Sequence, residues 1–332
     1  MGLHILVTGG LGAVGSYLVP ELRARGHHVV VADLYHHHER DYARCDVSKF
    51  QQVERLWTGG GWSHGYTRSA RTFDLVYHLA AEFGRWNGED YYENLWETNV
   101  IGTKNVLRMQ EREGFRAVYF SSSEVYGDFD GVMIEEVMDR LEIKQLNDYA
   151  ISKWVNEMQV LNSAEMNGTQ SVRVRLFNTY GPGEYYSKYR SVICLFAYRA
   201  LHGLPYTVYT GHTRTSTYIT DMATTLANIA DNFRPGEAYN IGGLDYHDIK
   251  TVSDLILKHA GASESLVTYK EAEPHTTAHK RVDCSKAVRD LAHNPRVALD
   301  EGIANTISWM RKVYADGAPL APEPSFGAGV QG

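Results

Sequence analysis

The chain has 332 residues, 43% hydrophobic and 22% charged, with 30 Gly and 9 Pro, which excludes collagen-like, disordered and disulfide-scaffold proteins. Lys plus Arg number 33 against 40 Asp plus Glu, and the net charge of -7 leaves no chain-wide basic footprint for nucleic acid. Cys45, Cys194 and Cys284 lie far apart without metal-ligand spacing. No apolar run reaches the roughly 18 residues that a membrane helix needs. The N-terminus carries no basic leader with a cleavage site. These features predict a cytoplasmic protein with no nucleic-acid or membrane partner and no metal.

The apolar run His4–Thr8 predicts a buried strand that meets Gly9-Gly10-Leu11-Gly12-Ala13-Val14-Gly15. Helical spacing follows over Ser16–Arg25, with Tyr17, Leu18 and Leu22 on one face, and His28–Ala32 forms a second strand ending at Asp33. Strands are predicted at Leu75–Leu79, Ala117–Phe120 and Val172–Leu176, and helices around Asn99–Glu113 and Tyr149–Met166. Such alternation predicts a parallel sheet covered on both faces. The pattern becomes irregular after residue 180. The expected division is therefore a dinucleotide-binding part at 1–180, a smaller cap at 181–315 interleaved with the last strands, and a mobile tail at 316–332. Gly59–Arg71 and Glu135–Asn147 are expected to be insertions.

Gly10-x-Gly12-x-x-Gly15 follows a strand and opens a helix. Gly10 is expected to make the tight turn, Gly12 to let backbone N–H groups approach a pyrophosphate, and Gly15 to allow close helix–sheet packing. A carboxylate at Asp33, at the end of the second strand, accepts both ribose hydroxyls and repels a 2′-phosphate, which favours NAD over NADP. Asp46 either contacts adenine or caps the Val47–Trp57 segment, and one carboxylate can do both.

Tyr149-Ala150-Ile151-Ser152-Lys153 places a phenol and an ammonium on one helix face. A nearby lysine charge lowers a phenol pKa toward neutrality and makes Tyr149 a usable general acid/base. His36-His37-His38 is read as a solvated loop, because adjacent imidazoles diverge and do not converge on one ion.

Together these motifs resemble the extended short-chain dehydrogenase/reductases that modify nucleotide sugars. The resemblance is carried by Thr8–Gly15, His78-Leu79-Ala80-Ala81, Asn99 in Thr98–Thr103, Ser121–Gly127, Tyr149–Lys153, Phe177–Gly183, Arg214–Asp221 and Asp283–Ala287, in order over residues 4–315. It implies a Rossmann-type doubly wound parallel sheet with a smaller C-terminal substrate-binding cap. It implies that NAD is held by Gly9, Gly12, Ala13, Val14, Gly15, Asp33, Asp46, Val47, Leu79, Ala80, Ala81, Asn99, Ser121, Tyr149 and Lys153. By the same resemblance Tyr149 takes the proton of the sugar 4-hydroxyl, Ser122 bonds that oxygen, and Lys153 tunes the phenol. Ser123, Asn178, Arg190 and Arg214 are implied in substrate binding, Arg214 at the diphosphate. His78 either lies beneath the cofactor or is a satisfied core histidine.

Glu124 separates the possible reactions. Plain 4-epimerases of this family carry a small residue there, whereas decarboxylases and dehydratases carry Glu. The 4,6-dehydratases have Asp where this chain has Ser123, which disfavours that reaction. The expected activity is a nucleotide-diphosphate-sugar epimerase working through a transient 4-keto sugar, with Glu124 as C5 base. The alternatives are a decarboxylase of the UDP-glucuronate type, a 5,6-dehydratase, or a non-catalytic NAD-binding sensor. Thr215-Ser216-Thr217 departs from the family pattern of an acid followed by an aromatic, which leaves the nucleotide open. Leu95, Leu107, Trp154, Met158 and Leu161 are expected to form a two-helix homodimer interface.

Overall fold

The computed structural model describes residues 2–58 and 72–314. The segment Gly59–Arg71 and the tail at 316–332 lie outside the described residues.

The first strands run β1 (His4–Thr8), β2 (His28–Asp33), β3 (Tyr42–Arg44), β4 (Leu75–His78) and β5 (Arg116–Ser122), followed by β6 (Val132–Met133) and β7 (Ser171–Leu176). Seven parallel strands build the main sheet in the order Ala238–Ile241, β7, β5, β4, β1, β2, β3. This doubly wound arrangement reverses direction beside β1, so the carboxyl ends of β1 and β4 part to leave a crevice. The central strands are apolar on both faces, with Ile5, Leu6, Val7, Leu75, Val76 and Tyr77 fully buried.

The strand at Ala238–Ile241, well past residue 180, pairs with β7 and completes this sheet. A second sheet runs in the order Tyr246–Asp248, Thr213–Thr215, His279–Val282, β6. The Glu135–Asn147 segment is packed rather than loose. Glu135 is buried and accepts from Asn240 N at 2.7 Å, while Gln145 donates to Val125 O at 2.8 Å.

The predicted helix at Tyr149–Met166 spans Asp148–Asn167. The Asn147 side chain caps it by accepting from Ala150 N at 2.9 Å, and Gly168 ends it with φ +67°. The helical stretch before Glu113 is not one regular helix. It runs Tyr92–Trp96, then a π-helical turn at Glu97–Ile101, then Gly102–Glu113. The wider turn carries the Asn99 side chain, whose polar atoms leave the helix for other partners.

Leu95 and Leu107, expected at a dimer face, are fully buried in the monomer, because both helices that carry them are pressed onto the fold. Trp154 packs partly buried beside Val125, Tyr126 and Phe177, whereas Met158 and Leu161 stay exposed. His36 and His38 are exposed, and among the described residues no group of three or more His, Cys, Asp or Glu converges as a metal site. No helix among them is long and apolar enough to cross a membrane.

Candidate active site

A cleft of about 740 Å³ opens at the carboxyl edge of the main sheet. One end is glycine-built. The left-handed residue of the turn is Gly9 (φ +71°), not Gly10, and a Cβ there would stand 2.6 Å from Ala80 N. Gly10 is instead required by packing, since a Cβ on it would meet Val31 Cγ1 at 2.7 Å, and Gly15 likewise, since its Cβ would meet Gly10 Cα at 2.5 Å. Gly9, Gly12, Ala13, Val14 and Gly15 all line the cleft.

Asp33 stands at its rim with both oxygens oriented, accepting from Leu11 N at 3.0 Å and from Leu34 N at 2.7 Å. Asp46 also lines the cleft while its Oδ1 accepts from Ser48 N at 2.9 Å and Ser48 Oγ at 2.7 Å. That bond caps a turn ahead of the helix Phe50–Thr58. Val47, Leu79, Ala80, Ala81 and Ser121 complete this wall. Backbone donors at a glycine turn, a helix start and a preoriented rim carboxylate fit a dinucleotide, with the pyrophosphate at the turn and ribose at Asp33.

Asn99 stands behind the wall, 1% exposed. Its Oδ1 accepts from Glu82 N at 2.9 Å, and its Nδ2 donates to Glu82 O at 3.0 Å and to Ser152 Oγ at 3.0 Å. His78 is a satisfied core histidine, bonded to Thr8 Oγ1 at 2.8 Å and Thr103 Oγ1 at 3.2 Å. Burial, with a smaller push from Lys153, lowers its pKa to about 3, so the imidazole is neutral.

Tyr149, Ser122 and Lys153 meet in the middle of the cleft. The Tyr149 phenol bonds Ser122, and Lys153 Nζ donates to Phe120 O at 3.0 Å, 5.9 Å from the centre of the Tyr149 ring. The expected fall in the phenol pKa is not what the protein alone produces. Burial pushes Tyr149 up to about 12, Glu124 adds to the rise, and the Ser122 bond only partly offsets it. Burial also lowers Lys153 to about 8. Between that value and its ordinary 10.5 the unfolded chain holds the extra proton, so stability rises with pH across the window. In NAD-free protein, urea denaturation of Lys153→Met from pH 8 to 10 is expected to lack this rise, and an identical slope in both proteins would refute it.

Glu124 follows β5 and faces a partner that the sequence reading did not identify. Lys280, in the strand His279–Val282, makes a salt bridge and hydrogen bond to Glu124 Oε1. Lys280 is 1% exposed. Burial opposes ionisation of Glu124, but Lys280, reinforced by Arg214 and an Asn147 hydrogen bond, holds its carboxyl below the usual range. Arg214 pairs in register with Lys280. Its Nη1 donates to Thr213 O at 2.8 Å and to Ala278 O at 2.7 Å, so it braces the pair and does not itself line the cleft.

The remaining wall is built by the cap. Asn178 adopts φ 37°, a left-handed strain at the cleft lip, fixed by its Nδ2 donating to Thr215 O at 3.0 Å. Arg190 lies over the Phe83 ring at 4.3 Å, and Ser123 lines the cleft near Glu124. Across the mouth, Asp90 accepts from Lys188 Nζ and Tyr189 Oη, both at 2.7 Å.

Comparison with known proteins agrees with this geometry. Residues 5–242 match the model of the NAD dependent epimerase/dehydratase family. The chain is 30% identical over 331 residues to a UDP-N-acetyl-alpha-D-glucosaminuronate decarboxylase of Bacillus cytotoxicus, covering 95% of this chain and all of that one. It is 30% identical over 320 residues to UDP-glucuronic acid decarboxylase 1 of Xenopus tropicalis, covering 93% of this chain and 72% of the relative. The fold superposes on the UDP-glucose 4-epimerase of Thermus thermophilus, solved with NAD, with TM-score 0.78 and 25% identity over 93% of this chain and 99% of that one. With the glycine turn, Asp33, Tyr149 and Lys153 in place, the chain belongs to the NAD dependent epimerase/dehydratase family, and is an enzyme whose cofactor is NAD.

Proposed function

We propose that this enzyme oxidises a nucleotide-diphosphate sugar transiently at C4 and that the sugar is a hexuronate, which then loses its C5 carboxyl as carbon dioxide. The glycine turn, Asp33, Asp46, Val47 and the Leu79–Ala81 wall hold the cofactor, with Asn99 fixing that wall from behind. The chemistry supplied by bound NAD is reversible hydride exchange with the sugar carbon. Tyr149 removes and returns the proton of the 4-hydroxyl, Ser122 bonds the same oxygen, and Lys153 supplies a positive charge beside them. Ser123, Asn178 and Arg190 contact the substrate, with Arg214 reinforcing the cationic side. The cap provides the sugar end of the cleft.

The Glu124–Lys280 pair, backed by Arg214, carries the choice of reaction. A 4-ketone makes the C5 carboxylate a β-keto acid, whose C5–C6 bonding electrons pass into the ketone as carbon dioxide leaves. That step needs the charge developing on the C4 oxygen to be held, as Tyr149 and Lys153 do, and a proton for C5, but no strong C5 base. Glu124, whose carboxyl Lys280 holds below the usual range, is a weak base. The two curated relatives described above, both decarboxylases, support the same reading. The second reading is C4 inversion, favoured by the similarity to the Thermus UDP-glucose 4-epimerase and needing only Tyr149, Ser122 and Lys153.

Mass spectrometry of uridine, thymidine, guanosine and cytidine diphosphate hexoses and hexuronates incubated with the enzyme in deuterated water separates these outcomes. Loss of carbon dioxide with one solvent deuterium on the product is expected. An isomer without deuterium would establish C4 inversion instead. An intact isomer with deuterium would restore Glu124 as a C5 base, and loss of water would indicate a dehydratase. Glu124→Gln, which takes the counter-ion from buried Lys280, is expected to preserve NAD reduction, seen by ultraviolet absorbance, while slowing release of carbon dioxide about tenfold.

The exposed Ile151, Met158 and Leu161 share one face of the Tyr149 helix, beside exposed Ile101, and support a homodimer. The three free cysteines support a cytoplasmic setting.

A further inference from the structure

Glu82 is a second acidic group in the cleft, not identified by the sequence motifs. It follows β4 as Glu124 follows β5, and these strands pair with His78 opposite Tyr119, so both carboxylates rise from the same edge of the sheet. Asn99 grips the Glu82 peptide from both sides and also bonds Ser152. Ser152 Oγ in turn donates to Tyr149 O at 2.8 Å. A chain of hydrogen bonds therefore ties the backbone of Glu82 to the turn that carries Tyr149.

The side chain is oriented as deliberately as the backbone. Asn87, 7% exposed in the short helix Arg85–Asp90, donates its Nδ2 to Glu82 Oε2 at 2.7 Å. That helix sits against the start of the Tyr149 helix, where a Cβ on Gly88 would lie 3.5 Å from Tyr149 N. Among the described residues Oε1 of Glu82 has no hydrogen-bond partner, and the residue lines the cleft. The neighbouring acids are committed. Glu184 accepts from both the N and the Oγ of Ser191, and Glu124 holds Lys280.

We infer that Glu82 binds the sugar of the substrate, its Oε1 accepting hydrogen bonds from ring hydroxyls while Asn87 and Asn99 hold it in place. The inference rests on the reading of this cleft as a nucleotide-sugar site. A carboxylate is an acceptor only, and an oxygen that loses its water when a ligand fills the cleft is costly unless a donor replaces it. Sugar hydroxyls supply the donors, and a nucleoside diphosphate lacking the sugar does not. Glu82 thus favours neutral, hydroxyl-bearing faces of the ring and repels an anionic group placed there.

The test is titration calorimetry of NAD-loaded wild type, Glu82→Ala, Glu82→Gln and Asn87→Ala with UDP-glucose, UDP-glucuronic acid, dTDP-glucose, UDP and dTDP. Glu82→Ala is expected to weaken the sugar-bearing ligands about tenfold or more, leaving UDP and dTDP unchanged. Glu82→Gln is expected to do the same, because with Asn87 still bonded it turns a donor toward the cleft. Asn87→Ala moves affinity in the same direction by less. Unchanged sugar affinity in both Glu82 variants would overturn the inference alone. Equal weakening of sugar-bearing ligands and of UDP and dTDP would also overturn it, as a structural effect. If the wild type bound none of the five, the nucleotide-sugar reading would fall with it.

Discussion

Replacing Tyr149 by Phe is expected to cut turnover about a thousandfold, in the middle of the range for removing a positioned acid/base group. The substitution takes away one oxygen and leaves the ring, the Lys153 contact with Phe120 O and the glycine turn as they are. NAD content, measured as cofactor released on denaturation, should therefore match the wild type. The burial that raises the phenol to about 12 makes the protonated form the resting state of the protein alone. Ser122 and the Lys153 charge then act on the same small volume, and neither replaces the missing proton carrier. A variant retaining a tenth of normal turnover would refute the role of Tyr149.

The second large effect is on stability. Glu157, on the same helix as Tyr149, has its side chain 2% exposed and accepts from Arg175 Nε and Nη2, both at 2.8 Å. It also accepts from Arg173 Nη1 at 3.1 Å and from Ser121 Oγ at 2.5 Å. Burial works against its ionisation, but the two guanidinium groups and the Ser121 bond keep it a carboxylate. Glu157→Ala leaves Arg175, itself 1% exposed, without its counter-ion, and is expected to cost about 3–5 kcal/mol in urea denaturation. Replacing Glu157, Arg173 and Arg175 together by apolar residues should recover most of that loss, since the desolvation of three charges disappears with them. A single-site loss below about 1 kcal/mol would mean that water reaches Arg175.

The parts that could be read from the sequence are those whose causes are local. The strand at His4–Thr8, the glycine turn, Asp33 and the Tyr149 helix each depend on periodicity or on residues within a few positions. Lys280 was missed because its context, His279-Lys280-Arg281, looks like a solvated surface strand. It is buried only because its strand pairs with Thr213–Thr215 on one side and β6 on the other. Glu82 was missed because its meaning depends on Asn87 and Asn99, brought to it by a short helix and a π-helical turn. Leu95 and Leu107 were misplaced because an apolar helix face looks the same whether a sheet or a second subunit covers it. Tyr149 and Lys153 were recognised as a pair, but the size of the burial effect on each follows from tertiary packing.

The long separation between Glu124 and Lys280 has a bearing on how the enzyme comes into being. By the time β7 has emerged from a ribosome, the glycine turn, Asp33, Ser122, Tyr149 and Lys153 have all been made. Lys280 follows about a hundred residues later, roughly ten seconds at ordinary elongation rates. Throughout that interval Glu124 lacks Lys280, the strand Thr213–Thr215 is made partway through it without its partner at His279–Val282, and the last strand of the main sheet, Ala238–Ile241, follows only later. A nascent chain at this stage has the residues to grip a dinucleotide before it has a finished place for the sugar. The oxidising half of the site is thus synthesised ahead of the half that decides what becomes of the ketone.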